Sequence, residues 1–131
     1  MLRTFCLAIV AALEMLWGPA VVLAGPNDYR FEPVKAQVKQ GDDVVVAVRL
    51  VHKRTRKPIT NATIILKRID MGPDGMGEMT SPLTPLPSPE PGVYAFKTDL
   101  SMSGRWLLSI AAKVPGEQQA VIGKITFQAA R

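Results

Sequence analysis

The sequence has very little of the side-chain chemistry on which most enzymes and zinc sites depend. Its 131 residues contain one cysteine, Cys6, and one histidine, His52. A single imidazole cannot supply the three or four ligands that a zinc site needs. A serine or cysteine nucleophile would have no histidine base other than His52, and no glycine-rich phosphate loop leads from a strand into a helix. We therefore expect a protein that is not an enzyme.

Residues 1–24 have the pattern of a secretory signal peptide. They begin Met-Leu-Arg, continue through apolar residues and end with Val22-Leu23-Ala24, which places small residues where a signal peptidase reads them. Glu14 and a following Gly-Pro pair interrupt the apolar stretch, so it lacks the ~20 uninterrupted residues of a membrane-spanning helix. Cys6 lies inside this leader. The sequence therefore predicts export to the periplasm, cleavage after Ala24 and a mature chain without a disulfide.

Length and charge predict one domain with a basic surface. Removing the leader leaves 131 − 24 = 107 residues, 25–131, which is close to the commonest domain size and can bury a core without disulfides. The net charge of +5 is unchanged, because the leader removes one arginine and one glutamate. An exported basic chain meets anionic lipid, polysaccharide or acidic partners rather than nucleic acid. The basic run from His52 to Lys57 is either a charged turn or a weak contact with a membrane surface.

The residues after the leader alternate with period two and are interrupted by turn signals. This spacing favours an all-β fold, and about seven short strands with an inward tryptophan favour an immunoglobulin-like β-sandwich. A segment with five prolines, 80–91, is expected to form an edge or a connection, because proline cannot donate to a sheet ladder. The predicted strands are 34–39, 43–51, 62–69, 92–98, 105–114 and 118–128, and the segment 80–91 is the edge or connection.

Alternation also predicts which side chains form the core. The clearest pattern lies in 105–114, where every second residue is apolar. The segment 43–51 is almost wholly apolar and is expected to be a central strand. The side chains predicted to face inward are Tyr94, Phe96, Trp106, Leu108, Ile110, Ala112, Val114, Val121, Ile125 and Phe127, together with Val34, Ala36 and Val38 of the first strand.

Methionine is concentrated in one short loop, DMGPDGMGEM. Met71, Met76 and Met79 lie in this loop, and Met102 lies in a later turn. Thioether sulfur is a soft, neutral donor that selects Cu(I) or Ag(I) over harder ions. If the strands alternate in direction, the two turns lie at the same end of the sandwich and His52 lies at the other. The four methionines are therefore our candidate metal ligands.

Other interpretations of this methionine-rich loop are open. Met71 and Met79 could instead plug the open end of the core, since methionine fills irregular gaps, or the methionines could form a surface for a partner. The loop glycines either allow the sulfurs to come together or only form a turn. The acids Asp70, Asp74 and Glu78 are hard ligands that either keep the loop solvated or form a weak Cu(II) site. Trp106 could shield a Cu(I) ion, although its alternation indicates the core.

Three sequence segments resemble a known family. They are KPITNATIILKRIDMGPDGMGEM, which starts at Lys57, then PGVYAF and DLSMSGRW. Together they resemble the YtkA-like family, also called FixH-like, of exported β-sandwich domains, and in particular members that accompany heavy-metal efflux systems of the resistance-nodulation-division type. The resemblance implies an envelope protein linked to copper or silver handling. Position by position, it points to Met71, Met76, Met79 and Met102.

Two hypotheses of function follow. In the first, the chain is a periplasmic soft-metal binding accessory protein that captures Cu(I) or Ag(I) through the methionine-rich loop and passes it to a metal efflux system. In the second, it is a non-metal interaction module that docks on a membrane transport or oxidase-assembly complex through its polar rim or its proline-rich edge. A sandwich fold is compatible with both. The sequence gives no indication of oligomeric state.

Overall fold

A computed structural model describes residues 26–131 as two packed β-sheets. The predicted leader and its cleavage point lie outside the described residues. Short 3₁₀ turns occupy Pro26–Asp28 and Gly72–Asp74. The strands are β1 Tyr29–Pro33, β2 Gln37–Lys39, β3 Gly41–His52, β4 Thr63–Met71, β5 Met76–Ser81, β6 Thr84–Leu86, β7 Val93–Leu100, β8 Gly104–Lys113 and β9 Val121–Ala130. No helix in this part of the chain is long and apolar enough to cross a membrane.

The strand order confirms the predicted immunoglobulin-like sandwich. One sheet has four strands in the order β1-β3-β7-β6, and the other has five in the order β2-β9-β8-β4-β5. Neighbouring strands are antiparallel except β2 and β9, which are parallel. The predicted central strand is β3, which lies between β1 and β7. The described residues contain nine strands instead of about seven, because short segments at the sheet edges also pair.

The core lies between the sheets and is formed by the alternating side chains of the long strands. In β8 the predicted inward residues Trp106, Leu108, Ile110 and Ala112 are all buried. Phe127 and Ile125 of β9 are buried in the same core cluster as Phe96 and Val46 of the other sheet. Fully burying one large aliphatic or aromatic side chain contributes about 1.5–3 kcal/mol. These buried side chains therefore hold the two sheets together without any disulfide.

The first predicted strand is wrong in its position. Val34 and Ala36 are exposed rather than inward, and the segment 34–39 does not form one strand. The chain pairs with β3 up to Pro33, crosses to the other sheet and pairs with β9 only from Gln37. Phe31, which precedes this crossing, is the buried residue. Alternation could not reveal that the chain changes sheets between the two short strands.

The proline-rich segment lies at an edge, as predicted. β6 is the outer strand of the four-stranded sheet and pairs only with β7, with Pro85 opposite Phe96. Because the other side of β6 has no neighbouring strand, the missing N–H of Pro85 removes no bond between strands. Prolines at such an edge also prevent pairing with other chains.

The two ends of the sandwich carry different segments. At one end, which we call the methionine end, β4 finishes, β5 starts and residues 101–103 connect β7 to β8. At the other, which we call the amino-terminal end, β3 finishes at His52 and Pro26–Asp28 leads into β1. The backbone N–H of Lys53 donates to the carbonyl of Asp28 there, at 2.8 Å. This arrangement confirms that the two methionine-bearing turns share one end and that His52 lies at the other.

Candidate soft-metal site

The methionine-rich segment is a β-hairpin rather than an open loop. Met71 is the last residue of β4, Met76 is the first residue of β5, and the two are register partners. The turn between them contains the 3₁₀ segment Gly72–Asp74 and Gly75, whose φ of 77° lies in the left-handed region that favours glycine. The N–H of Gly75 donates to the carbonyl of Gly72 at 2.9 Å. The turn therefore fixes the backbone between the first two methionines.

Met71 and Met76 belong to the core side of the hairpin. Met71 is 0% exposed, and Met76 is partly buried against the same core cluster. A Cβ atom built on Gly104 would lie 2.8 Å from Met71 Cε, so β8 begins directly over this side chain. The placement of Met71 agrees with the interpretation of a core plug. Its thioether reaches solvent or an ion only if the neighbouring turn opens.

Met79 and Met102 lie outside the core. Met79 is 36% exposed and Met102 is 39% exposed. Met79 occupies an irregular part of β5. Met76 pairs with Met71 and Thr80 pairs with Asp70, so the residues of β5 between them have no register partner on β4. Met102 lies in the turn that precedes β8. The structure therefore brings all four predicted residues to one end but divides them into an inner pair and an outer pair, and the plug interpretation does not describe Met79.

An ion pair joins the two turns of the methionine end. Arg105 donates from its backbone N–H to Asp74 Oδ2 at 2.7 Å and from its Nε to Asp74 Oδ1 at 2.8 Å. Its terminal amino group also donates to the carbonyl of Pro73 at 2.6 Å. The backbone N–H of Arg105, and then its guanidinium, hold the pKa of Asp74 below its usual value. We call this contact the Asp74–Arg105 clamp.

Gly104 permits the close approach that the clamp requires. Its φ of 136° lies in the region that side-chain-bearing residues rarely adopt, and a Cβ there would lie 2.5 Å from Asp74 Oδ2. The next residue but one, Trp106, is buried and donates from its indole N–H to the carbonyl of Met102 at 3.1 Å. The SGRW segment therefore fixes the turn that carries Met102, and the prediction that Trp106 belongs to the core is confirmed.

The acids of the hairpin are used by the protein itself. Asp70 is buried and accepts hydrogen bonds from Arg68 Nε at 3.0 Å and from the N–H of Gly72 at 2.8 Å. Asp74 belongs to the clamp. Of the three acids, only Glu78 is exposed. Within residues 26–131, no three His, Cys, Asp or Glu side chains are grouped so that they could hold a metal ion. Asp70 and Asp74 therefore do not serve mainly to solvate the loop, and neither carboxylate is free to bind a hard ion.

The clamp is the feature of this end that sequence reasoning did not identify. Asp74 lies between glycines in GPDG, and Arg105 follows a glycine in SGRW. Opposite charges beside glycines, in two turns predicted at the same end, were the available signal. Glycine allows the close backbone approach that such an ion pair needs.

The basic run at the amino-terminal end forms a turn that is partly engaged within the fold. Arg56 binds Glu32 at 2.8 Å, and this hydrogen bond is the main reason that the pKa of Glu32 is lowered. The ring of His52 lies edge-on to Tyr29, with 5.5 Å between the ring centroids. Association of residues 52–57 with a membrane stays a prediction.

Comparison with known proteins shows the fold and the family. The crystal structure of the Lin-41 filamin domain matches at a TM-score of 0.50 and 20% sequence identity, over 79% of this chain and 93% of that chain. At this identity the likeness supports the sandwich fold alone. No curated protein sequence matches. The sequence profile of the YtkA-like family matches residues 23–111, which include the methionine hairpin and the SGRW segment. Because this match covers more than half of the 131 residues, the chain belongs to the YtkA-like family.

Proposed function

We propose that this chain is an exported, periplasmic accessory domain that binds Cu(I) or Ag(I) at its methionine end and passes the ion to a membrane efflux system. The observation that carries the proposal is the exposure of two thioethers at the same end of the sandwich, Met79 on β5 and Met102 in the turn before β8. Residues 26–131 contain no cysteine, and their one histidine lies at the other end. Among residues 26–131, thioethers are therefore the only soft donors at the methionine end.

The division into inner and outer methionines suggests different tasks for them. Met79 and Met102 are the ligands that an arriving ion meets first, because their side chains are exposed. Met76 is partly buried beside the core and supplies a further donor. Met71 is fully buried, so it supports the hairpin by packing in the core and is not one of the proposed ligands. The Asp74–Arg105 clamp keeps the two turns at a fixed distance, so the donors need little reordering when the ion binds.

The chemistry of thioethers suits transient handling of a soft ion in an oxidising compartment. A thioether is neutral and binds without first losing a proton, whereas a thiol or an imidazole must be deprotonated. Methionine also cannot form the disulfides that would disable a cysteine site outside the cytosol. We therefore expect binding to persist at acid pH.

A silver titration tests this function. The exported protein, with ¹³C-labelled methionine methyl groups, is titrated with Ag(I) at neutral and acid pH and followed by NMR. We expect the methyl signals of Met79 and Met102 to shift most, and we expect the double change Met79→Leu and Met102→Leu to abolish binding. Met71→Leu is the control, since it keeps the buried volume and should leave the affinity within about twofold. Unmoved signals of Met79 and Met102 at excess Ag(I) would refute metal binding.

A second candidate function uses the same exposed pair. Flexible, polarizable methionines on a surface suit a site for another protein, and Met79 and Met102 flank a clamp that fixes the surface in place. In that case the domain is an accessory module for a membrane complex and binds no metal. The leucine variants separate the two functions, because leucine preserves an apolar protein contact but cannot bind Ag(I). A copper-tolerance defect in cells with the double leucine variant favours the first function.

A further inference from the structure

The outer face of the five-stranded sheet carries an aliphatic row that the core does not use. Leu66 of β4, Ala111 of β8 and Ile122 of β9 are register partners across three neighbouring strands. Leu66 is 68% exposed and Ile122 is 74% exposed, while Ala111 forms the floor between them. A sheet face that meets only water is normally polar. These three residues, which we call the aliphatic row, therefore indicate a surface that contacts something other than water.

Positive charge flanks the aliphatic row on both sides. Lys113 follows on β8 toward the amino-terminal end, and Lys124 lies on β9 one step toward the methionine end, opposite Ser109. Neither lysine has an ion pair among residues 26–131. Arg68 lies on the same side as Lys124, and its partner Asp70 is buried. This part of the face therefore offers apolar side chains beside two lysines that have no ion pair among residues 26–131 and one arginine that is paired with a buried acid.

The aliphatic row lies near the end of the sandwich where the chain enters. Ala111 is two residues from the end of β8, and Ile122 is the second residue of β9. Residues 26–28 lead into β1 at this end, and the basic run at 52–57 lies beside them. Within residues 26–131, the basic turn and the aliphatic row are thus found at the same end.

We infer that this face docks on an anionic lipid surface, with Leu66 and Ile122 at the boundary between headgroups and acyl chains and with Lys113 and Lys124 on the headgroups. Apolar side chains combined with lysines are the usual means by which a protein lies on such a surface. Each basic residue near an anionic membrane raises the binding constant by a factor of about five. Docking there leaves the methionine end free.

Charge and composition disfavour other occupants. A symmetric dimer through this face would bring the lysines of both copies into one interface, which like-charge repulsion disfavours. Stable protein interfaces are centred on aromatic residues or arginine in well-packed pockets, and the aliphatic row has none. A bilayer requires only exposed apolar side chains and positive charge, and this face provides both.

Vesicle binding tests the inference. The protein is purified from cells that express the full chain and is sedimented with phosphatidylcholine vesicles, with and without phosphatidylglycerol. We expect preferential binding to the anionic vesicles. The double change Lys113→Gln and Lys124→Gln should weaken that binding by roughly thirtyfold, the effect of two basic residues. Leu66→Ser with Ile122→Ser should weaken binding to the same vesicles by at least about tenfold.

Matched controls come from other surfaces. Val45 is 52% exposed on the outer face of the other sheet, so Val45→Ser removes a comparable aliphatic side chain. Lys35→Gln with Lys39→Gln removes two exposed lysines outside the aliphatic row. Both controls should bind like the parent protein. Equal binding to neutral and anionic vesicles, or equal losses in the controls, would overturn the inference.

A second measurement identifies the face that meets the lipid, even if the leader is retained. A spin label on the lipid headgroup should broaden the methyl signal of Ile122 more than that of Val45. Broadening of the Val45 signal alone would show that the lipid assignment is wrong. The same conclusion would follow if adding an acidic protein shifted the Ile122 signal while adding vesicles did not. Because Met79 and Met102 lie at the other end, the outcome is independent of the silver titration.

Discussion

Met71 and Met79 show how one residue type takes two roles within a single hairpin. The sequence places both in a glycine-rich segment and suggests the same role for both. In the fold, Met71 ends a strand and points into the core, whereas Met79 lies in an irregular stretch of the neighbouring edge strand and is exposed. The difference arises from strand register, which depends on distant pairing and is not visible in the local sequence.

Truncation of Met71 should therefore cost far more stability than truncation of Met79. We expect Met71→Ala to lower the free energy of unfolding by about 2–5 kcal/mol, because it leaves a cavity beneath Gly104. Met71→Leu should cost less than about 1.5 kcal/mol, and Met79→Ala should stay within about 0.5 kcal/mol. Urea unfolding followed by tryptophan fluorescence measures these differences. Equal losses for the two alanine variants would show that Met71 is not a packing residue.

At the scale of the element, long strands were predictable and short ones were not. The alternation from Trp106 to Val114 identified β8 and its buried side chains, because a strand in the middle of a sheet must bury one face. The sequence predicts a loop where β5 lies, because the backbone hydrogen bonds that pair β5 with β4 produce no alternating pattern in a segment of glycine and methionine. β2 pairs in parallel with β9, about 90 residues along the chain. No local pattern encodes such a pairing.

The same distinction applies to the candidate site. The sequence predicted that Met71 and Met102 lie at one end, because strand direction alternates, and the fold confirms it. It did not predict which methionines are buried, nor that Asp74 is held by Arg105. Those facts depend on register and on a close approach between two turns.

The clamp should control the rigidity of the hairpin without affecting the rest of the sheet. Arg105→Gln removes the charge-assisted hydrogen bonds from the guanidinium to Asp74 Oδ1 and to the carbonyl of Pro73, so we expect the amide of Gly75 to exchange with solvent about tenfold faster. The amide of Leu108, in the middle of β8, should be unchanged. Hydrogen exchange followed by NMR provides both rates.

Arg49→Gln is the matched control for this experiment. It removes a surface ion pair with Glu90, at 3.6 Å, in the other sheet. We expect it to leave the Gly75 rate unchanged. If both variants accelerate exchange at Gly75 equally, the clamp does not hold the hairpin.

At the scale of the molecule, each end contains a hydrogen bond to a titratable side chain, and the two bonds are lost at different pH values. Asp74 accepts hydrogen bonds from Arg105 at the methionine end. At the other end, Tyr29 donates its hydroxyl proton to Glu117 at 2.9 Å. Burial, and then this hydrogen bond to a carboxylate, raises the pKa of Tyr29 to about 12. The fold therefore has an acid limit set partly at one end and an alkaline limit set partly at the other.

The direction of each effect follows from linkage between protonation and folding. The pKa of Asp74 is lower in the folded state than its ordinary value of 3.8, so its contribution is complete above that pH and is lost as the pH falls. Glu32, whose pKa Arg56 lowers from 4.5, behaves in the same way. The pKa of Tyr29 is raised, so its contribution is complete below pH 10.0 and is lost as the pH rises toward 12.

Single substitutions should therefore change one limb of the pH–stability profile and spare the other. Asp74→Asn should make the acid limb below about pH 4 shallower, with Glu32 responsible for part of what is left. Tyr29→Phe should make the limb between about pH 10 and 12 shallower but not flat, because burial also raises the pKa of Tyr94. Urea midpoints measured across the pH range test both expectations. Asp42→Asn, which removes an exposed acid without an ion pair among residues 26–131, controls for the loss of one negative charge. A profile in which Asp74→Asn alters the alkaline limb as much as the acid limb would show that the two ends do not titrate independently.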